Sequence, residues 1–171
     1  MTNKRIPVLS VVGRSKTGKT TLIEKLIPLL DSKGIKVAVI KHHHHDFEID
    51  IPGKDTHRLK HAGAHTVIIS SPEKIAIIQD IRSEPSIEDI VSKYASNMDI
   101  VITEGYKKAD MPKIEVYQEK ENLPPVCIDD KNLLAIVSDS PIVASVPVFL
   151  RDDTGSITEF ILSQFALGVG R

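Results

Sequence analysis

Residues Gly13-Arg14-Ser15-Lys16-Thr17-Gly18-Lys19-Thr20 satisfy G-x-x-x-x-G-K-[ST] at every fixed position. No other stretch restricts the fold so far. A loop of this kind needs a buried strand ending just before it and a helix starting inside it. Both are present. Ile6–Val12 (IPVLSVV) is a continuous apolar run, and from Gly18 to Lys33 the apolar positions Leu22, Ile23, Leu26, Ile27 and Leu30 keep helical spacing. The glycines let the backbone curl until its N–H groups face inward on phosphate oxygens. Lys19 reaches the β- and γ-phosphates, the Thr20 hydroxyl can ligate Mg²⁺, and the helix carrying Thr21 adds the positive end of its dipole. Residues 13–21 are therefore a nucleoside-triphosphate site. An ordinary glycine turn is the weaker reading.

The remainder alternates strand and helix. Pro28 removes one donor inside the first helix, which predicts a kink there, and Gly34 ends it. Ile35–Ile40 reads as a second strand, followed by a loop from Lys41 to Lys54. Asp55 is placed to cap a helix running to about His61, which Gly63 closes. His65–Ser70 and Lys74–Gln79 flank Ser71-Pro72-Glu73, an arrangement that suits an antiparallel hairpin. Ser86–Ala95 is patterned as an amphipathic helix. Asp99–Thr103 and Leu133–Val137 are buried strands, Lys113–Tyr117 reads as half-exposed, and Val146–Leu150 is a short strand. The last helix is expected at about Ser156–Leu167. The pattern predicts one α/β domain over residues 1–171: a P-loop NTPase with a mostly parallel sheet, flanking helices and some antiparallel strands.

The strand in DIVITEG offers two carboxylates for a metal ion at the phosphates. Asp99 opens that strand and so lies at the far edge of a parallel sheet. Glu104 closes it, on the edge where ligands bind. Glu104 is the candidate to hold Mg²⁺ with Thr20, and Asp99 is read as a structural residue.

All seven histidines lie between residues 42 and 65, four of them in the run His42–His45. That run leaves the second strand on the same ligand edge. Successive loop residues point in different directions, so four histidines on one ion is not the expectation. Asp46 and Asp50 follow within reach and are candidates for ordering water, Asp46 as a catalytic residue, or for backing the ligands of Mg²⁺; a plain surface loop is the alternative for residues 41–55. His57 and His61 can share one helix face, which suits a transition metal, although a polar helix face explains them as well.

With GRSKTGKTTL, IKHHHHDFEIDIPGKD, Ala62-Gly63-Ala64, the strand ending TEG, and AIVSD in place, the chain resembles the molybdopterin-guanine dinucleotide biosynthesis protein B family over nearly its whole length. The phosphate loop is shared with many families. The segment Lys41–Asp55 followed by Ala62-Gly63-Ala64 is the specific part. The resemblance implies GTP as the nucleotide, at most a weak GTPase, a homodimer, and assistance to a molybdopterin guanylyltransferase. The chain has no [NT]-K-x-D guanine-reading motif. The nearest physical substitute is Asp139, after the buried strand, whose carboxylate can accept from the N1–H and N2–H₂ edge of guanine; a turn residue before Pro141 is the bland alternative.

Composition narrows the alternatives. A formal net charge of -1 and the absence of tryptophan give no reason to expect nucleic acid. No apolar run approaches the ~18 residues of a membrane span. Cys127 is the only cysteine, so no intrachain disulfide forms and a reducing cytoplasmic setting is expected. Two competing functions remain. A metallochaperone NTPase would use the histidines, but usually adds Cys-x-His or terminal His tracts. A small-molecule kinase needs an arginine-rich lid that the sequence does not offer.

Overall fold

The computed structural model describes residues 5–43, 46–119 and 123–168. In chain order the first elements are β1 (Val8–Val12), α1 (Lys19–Ser32), β2 (Val37–Lys41), α2 (Asp55–His61), β3 (Thr66–Ser70) and β4 (Ile75–Gln79). They are followed by α3 (Ile87–Tyr94), β5 (Ile100–Glu104), β6 (Lys113–Tyr117), β7 (Leu133–Ser138), β8 (Val148–Phe149) and α4 (Thr154–Gln164). The chain divides into two compact units, residues 43–90 and the remainder.

The larger unit is a six-stranded sheet in the order β2-β5-β1-β6-β7-β8. Every neighbouring pair is parallel. All six C-terminal strand ends therefore share one edge, with β1 at its centre and the chain leaving β1 toward either side. That is where ligands sit in open parallel sheets. Leu9 and Val11 of β1, Ile100 and Ile102 of β5, and Ile114 and Val116 of β6 turn one face onto Leu22, Leu26 and Leu30 of α1 and Ile157 and Ile161 of α4. On the other face, Val12, Leu133, Ile136 and Cys127 pack with Ile142 and Val146 from irregular segments. Ser10 and Thr103, opposite one another in register, satisfy each other's hydroxyls at 2.8 Å.

Several boundaries differ from the sequence expectation for local reasons. α4 starts earlier than Ser156 because Asp153 is its cap, accepting from the Ser156 N–H at 3.2 Å. Asp55 is the first residue of α2 rather than its cap; the cap position is Lys54, without a side-chain bond. Pro28 lies inside α1 as expected. The larger correction concerns β6. KIEVY alternates polar and apolar, the pattern of a strand with one wet face. Here it lies between β1 and β7, and Lys113 and Glu115 are each only 1% exposed. Both are satisfied internally. Lys113 Nζ donates to Asp130 Oδ2 at 2.6 Å and to the carbonyls of Lys107 and Ala109 at 3.1 and 3.0 Å. Glu115 accepts from the N–H groups of Val126 and Cys127, both at 2.7 Å. These two buried charges fasten the loops on either side of β6.

In the smaller unit, β3 and β4 pair antiparallel, with Val67 opposite Ile78 and Ile68 opposite Ile77. Lys60 of α2 bonds Asp80 just after β4 at 2.9 Å. Ser86 caps α3 reciprocally, accepting from the Asp89 N–H and donating to its carboxylate.

Truncating Lys113 to alanine leaves two carbonyls and Asp130 without their cation. Removing one member of a buried pair costs about 3–5 kcal/mol. The lower end is expected here, because Asp130 keeps the Asn132 N–H and is partly wet. Urea unfolding of Lys113→Ala measures it. The hydrogen bond from Lys113 first, then that from the Asn132 N–H, hold the Asp130 carboxyl below its ordinary value. A depressed carboxylate lends stability that is whole above ~pH 4 and is lost as pH falls through the lowered value. The wild-type protein should lose more stability in that acid range than the variant does.

Candidate functional site

The loop between β1 and α1 is tighter than its glycines alone require. Gly13 has φ 140°, and a Cβ there would collide with the Val116 carbonyl of β6 and stand 3.0 Å from Thr17 Oγ1. Only glycine fits. Gly18 has φ 90°, and Lys16 takes the left-handed conformation at φ 63°. Backbone of this kind gathers N–H groups into an anion-binding concavity. Thr17, nearly buried, donates to the Arg14 carbonyl at 3.0 Å, and Lys19 Nζ spans the loop to the same oxygen at 2.7 Å. Arg14 turns onto the Pro124 carbonyl at 3.3 Å, while Ser15 and Lys16 are exposed. Thr20 and Thr21 follow Lys19 in the first turn of α1.

The end of β5 completes one side of the site. Thr20 Oγ1 donates to Glu104 Oε2 at 2.8 Å, and Lys41 Nζ, at the end of β2, is 3.4 Å from the same oxygen. Burial lowers the Lys19 ammonium from its ordinary value; Glu104 opposes this, and Lys107 and Lys41 add to it. One carboxylate thus sits among three lysines at the edge where an anion would arrive. Asp99 is at the opposite end of β5, where its Oδ2 accepts from the Lys36 N–H at 2.9 Å. It holds β2 to β5.

The histidine run divides. His42 belongs to the larger unit: its N–H donates to the Glu104 carbonyl at 3.1 Å, and its ring lies 4.3 Å from that of Tyr106. Tyr106 itself has φ 55°, uncommon for an aromatic residue. His44 and His45 lie outside the described residues. Asp46 is exposed, in the smaller unit, where Oδ1 accepts from its neighbour Phe47 at 2.9 Å.

Asp139 follows β7 on the ligand edge, and its Oδ2 accepts from Arg151 Nε at 2.8 Å. The same guanidinium donates to the carbonyls of Thr17 and Tyr117. Arg151 therefore ties the phosphate loop to the ends of β6 and β7, and a Cβ at Gly18 would come within 2.5 Å of its Nη1. Nothing in the residue pattern singled out Arg151. The available signal was its position, two residues beyond a short parallel strand and hence on the ligand edge.

A family model described as "MobB: Molybdopterin guanine dinucleotide synthesis protein B" matches residues 8–139. The chain belongs to this family. It is 33% identical over 161 residues to the molybdopterin-guanine dinucleotide biosynthesis adapter protein of Escherichia coli, spanning 92% of each chain. It is 38% identical over 141 residues to the adapter protein of Haemophilus influenzae, spanning 82% of this chain and 79% of that one. A crystal structure of molybdopterin-guanine biosynthesis protein B superposes with a TM-score of 0.77 at 35% identity, over 93% of this chain and 99% of the other. MobB from Bacillus subtilis gives 0.74 at 28% identity, over 93% and 98%. The sheet of the MobB family, a P-loop NTPase fold, is thus the sheet described above.

Lys19→Ala should abolish triphosphate binding and leave the unfolding curve intact; unchanged affinity by calorimetry would remove Lys19 from the site. Glu104→Gln should weaken Mg²⁺-dependent binding, whereas Asp99→Asn should act on stability alone, and the reverse ranking contradicts the assignment. Phosphate favours the ammonium form of Lys19, so affinity should fall as pH rises through its lowered value toward the ordinary lysine range. In Lys19→Arg that alkaline fall should disappear.

Proposed function

We propose that this chain is a GTP-binding adapter protein of molybdenum cofactor biosynthesis, working beside the guanylyltransferase that makes molybdopterin guanine dinucleotide. The observation that carries the nucleotide half is the bond between Thr20 and Glu104 at the mouth of a complete phosphate loop. Family membership and the adapter proteins at 33–38% identity carry the pathway half.

The ligand set suits Mg²⁺: a hydroxyl and a carboxylate oxygen on one edge are the hard donors such a cation takes, alongside phosphate and water. Bound by Thr20 and Glu104, Mg²⁺ would neutralise charge on the β- and γ-phosphates. Residues 13–21 cradle the phosphates through backbone N–H groups, and Lys19 moves its donors from the Arg14 carbonyl to phosphate oxygen. Glu104 is the group proposed to order water, which supports at most a weak GTPase. Asp139 is proposed to read guanine; Arg151 fixes its carboxylate while lone pairs remain for the base.

A homodimer is part of the same reading. The β3–β4 ribbon has only two strands among the described residues, and Ile68, Ile69 and Ile75 are more than half exposed on it. Such a ribbon is marginal in water by itself and offers open edges for a second copy. The one thiol, Cys127, is buried and free, in keeping with a cytoplasmic protein. No helix among the described residues is long and apolar enough to cross a membrane.

Two measurements test this. Asp139→Asn should narrow the gap between GTP and ATP tenfold or more, because an amide cannot accept both guanine donors and each charge-assisted bond is worth about 1.5–3 kcal/mol; a preference unchanged within twofold removes Asp139 from base reading. The tagged chain, incubated with purified guanylyltransferase and GTP·Mg²⁺, should retain that enzyme, and failure to do so at micromolar concentrations would sink the adapter reading.

A further inference from the structure

The loop after the histidine run folds back on α2. There it brings a third donor to a pair of histidines whose spacing alone was ambiguous. His57 and His61, one turn apart, stack their rings at 3.9 Å with planes 24° apart. Glu48, nine residues before the first of them, places its carboxylate Oε1 3.6 Å from His61 Nε2. One ligand atom from each of the three residues falls within 4.8 Å of the other two.

Hydrogen bonding prepares His61. His61 Nδ1 lies 3.0 Å from the His57 carbonyl, an acceptor only, so Nδ1 carries the proton and Nε2 of the neutral ring is left with its lone pair. That lone pair faces the carboxylate of Glu48, another acceptor. A cation is needed between them, either a proton or a metal ion. A carbonyl fixing the distal nitrogen is also how metal-bound histidines are oriented. At His57 the bond runs the other way: the Gly53 N–H donates to Nδ1 at 3.4 Å, long enough for a metal ion to displace it and take that nitrogen. No residue of α2 is buried, so packing of the core does not explain why two imidazoles share this face.

We propose that Glu48, His57 and His61 form a transition-metal site in the smaller unit, with Zn²⁺ as its ion. Two imidazoles and one carboxylate are a donor set that zinc takes, whereas Mg²⁺ and Ca²⁺ prefer oxygen throughout. Around one zinc ion, ligand atoms stand roughly 3.3 Å apart. The His61–Glu48 pair is already near that spacing, and rotation about the exposed side-chain bonds closes the rest. A fourth position stays open to water or to a donor from outside the chain. Bound metal would lock residues 48–53 onto α2. The site lies wholly within residues 43–90 and needs no nucleotide, so it stands apart from the GTP reading.

The test uses the full chain with Zn²⁺ alone, titrated in competition with a chromophoric chelator. One zinc per chain is expected. Glu48→Gln, His57→Gln and His61→Gln should each weaken it at least tenfold, since even outer groups around such sites are worth ~10–100-fold. His65→Gln, at an exposed histidine of the same unit, should leave it unchanged. Affinity should fall as pH is lowered, because the ligands bind only when deprotonated. Nitrogen-15 spectra of the imidazoles should show His61 coordinated through Nε2 with Nδ1 still protonated. Zinc binding unaffected by the three substitutions, or abolished only by replacing His42–His45, would overturn the proposal. So would the absence of zinc binding in a wild-type chain whose circular dichroism shows it folded.

Discussion

The closeness of the β1–α1 turn to β6 is the constraint on which the rest of the site depends. At Gly13 the backbone passes so near the Val116 carbonyl that no side chain fits. Because β1 is the central strand, that approach brings the start of α1 directly over the sheet edge. Lys19 and Thr20 then emerge beside Glu104, and the helix dipole points at the same spot. Arg151 closes the arrangement from the far end of the sheet by holding the Thr17 carbonyl against β6 and β7. The loop's shape is therefore fixed by covalent neighbours and by the sheet. Donors aimed before the ligand arrives need little reorganisation when it does.

Local signals in the sequence were enough for the sheet's centre and for the loop. Apolar runs ending at Val12 and near Glu104, followed by Gly and Lys, imply parallel strands with their functional ends together, and so separated Glu104 from Asp99 correctly. What could not be read was any pairing whose partner is remote in sequence. Lys113 and Glu115 look like an exposed face until the loops carrying Asp130 and the Val126 and Cys127 N–H groups are folded against them. Arg151 meets Thr17 across 134 residues. Glu48 was invisible for another reason. A loop gives no periodicity, so nothing predicted that it would return to the face bearing His57 and His61.

Charge is balanced locally at the ligand edge of the larger unit. Lys19, Lys41 and Lys107 all influence the same neighbourhood, and among the described residues Glu104 is the carboxylate that opposes them at Lys19. Its Oε2 meets both the Thr20 hydroxyl and the Lys41 ammonium. The carboxylate thus stabilises an otherwise repulsive cluster before a ligand binds. Under the proposed function, an arriving phosphate would supply the counter-charge instead and free Glu104 for a divalent cation. One residue would then serve both states, because a triphosphate would satisfy Lys41, with which Glu104 pairs here.

The two units present different donor chemistry, and on the two proposals above this would separate their ions. Thr20 and Glu104 offer only oxygen, a set that would suit magnesium where phosphate and water complete it. His57 and His61 offer nitrogen, for which first-row transition ions have the advantage by orders of magnitude over magnesium. On the same reading magnesium would leave the imidazole pair available, and zinc would find no nitrogen ligand at Thr20 and Glu104. The histidine-rich segment that first looked like one feature resolves into two roles. His42 belongs to the edge beside Glu104 and Tyr106, whereas His57 and His61 face Glu48 in a separate unit. Their nearness in sequence reflects only the short connection between β2 and α2.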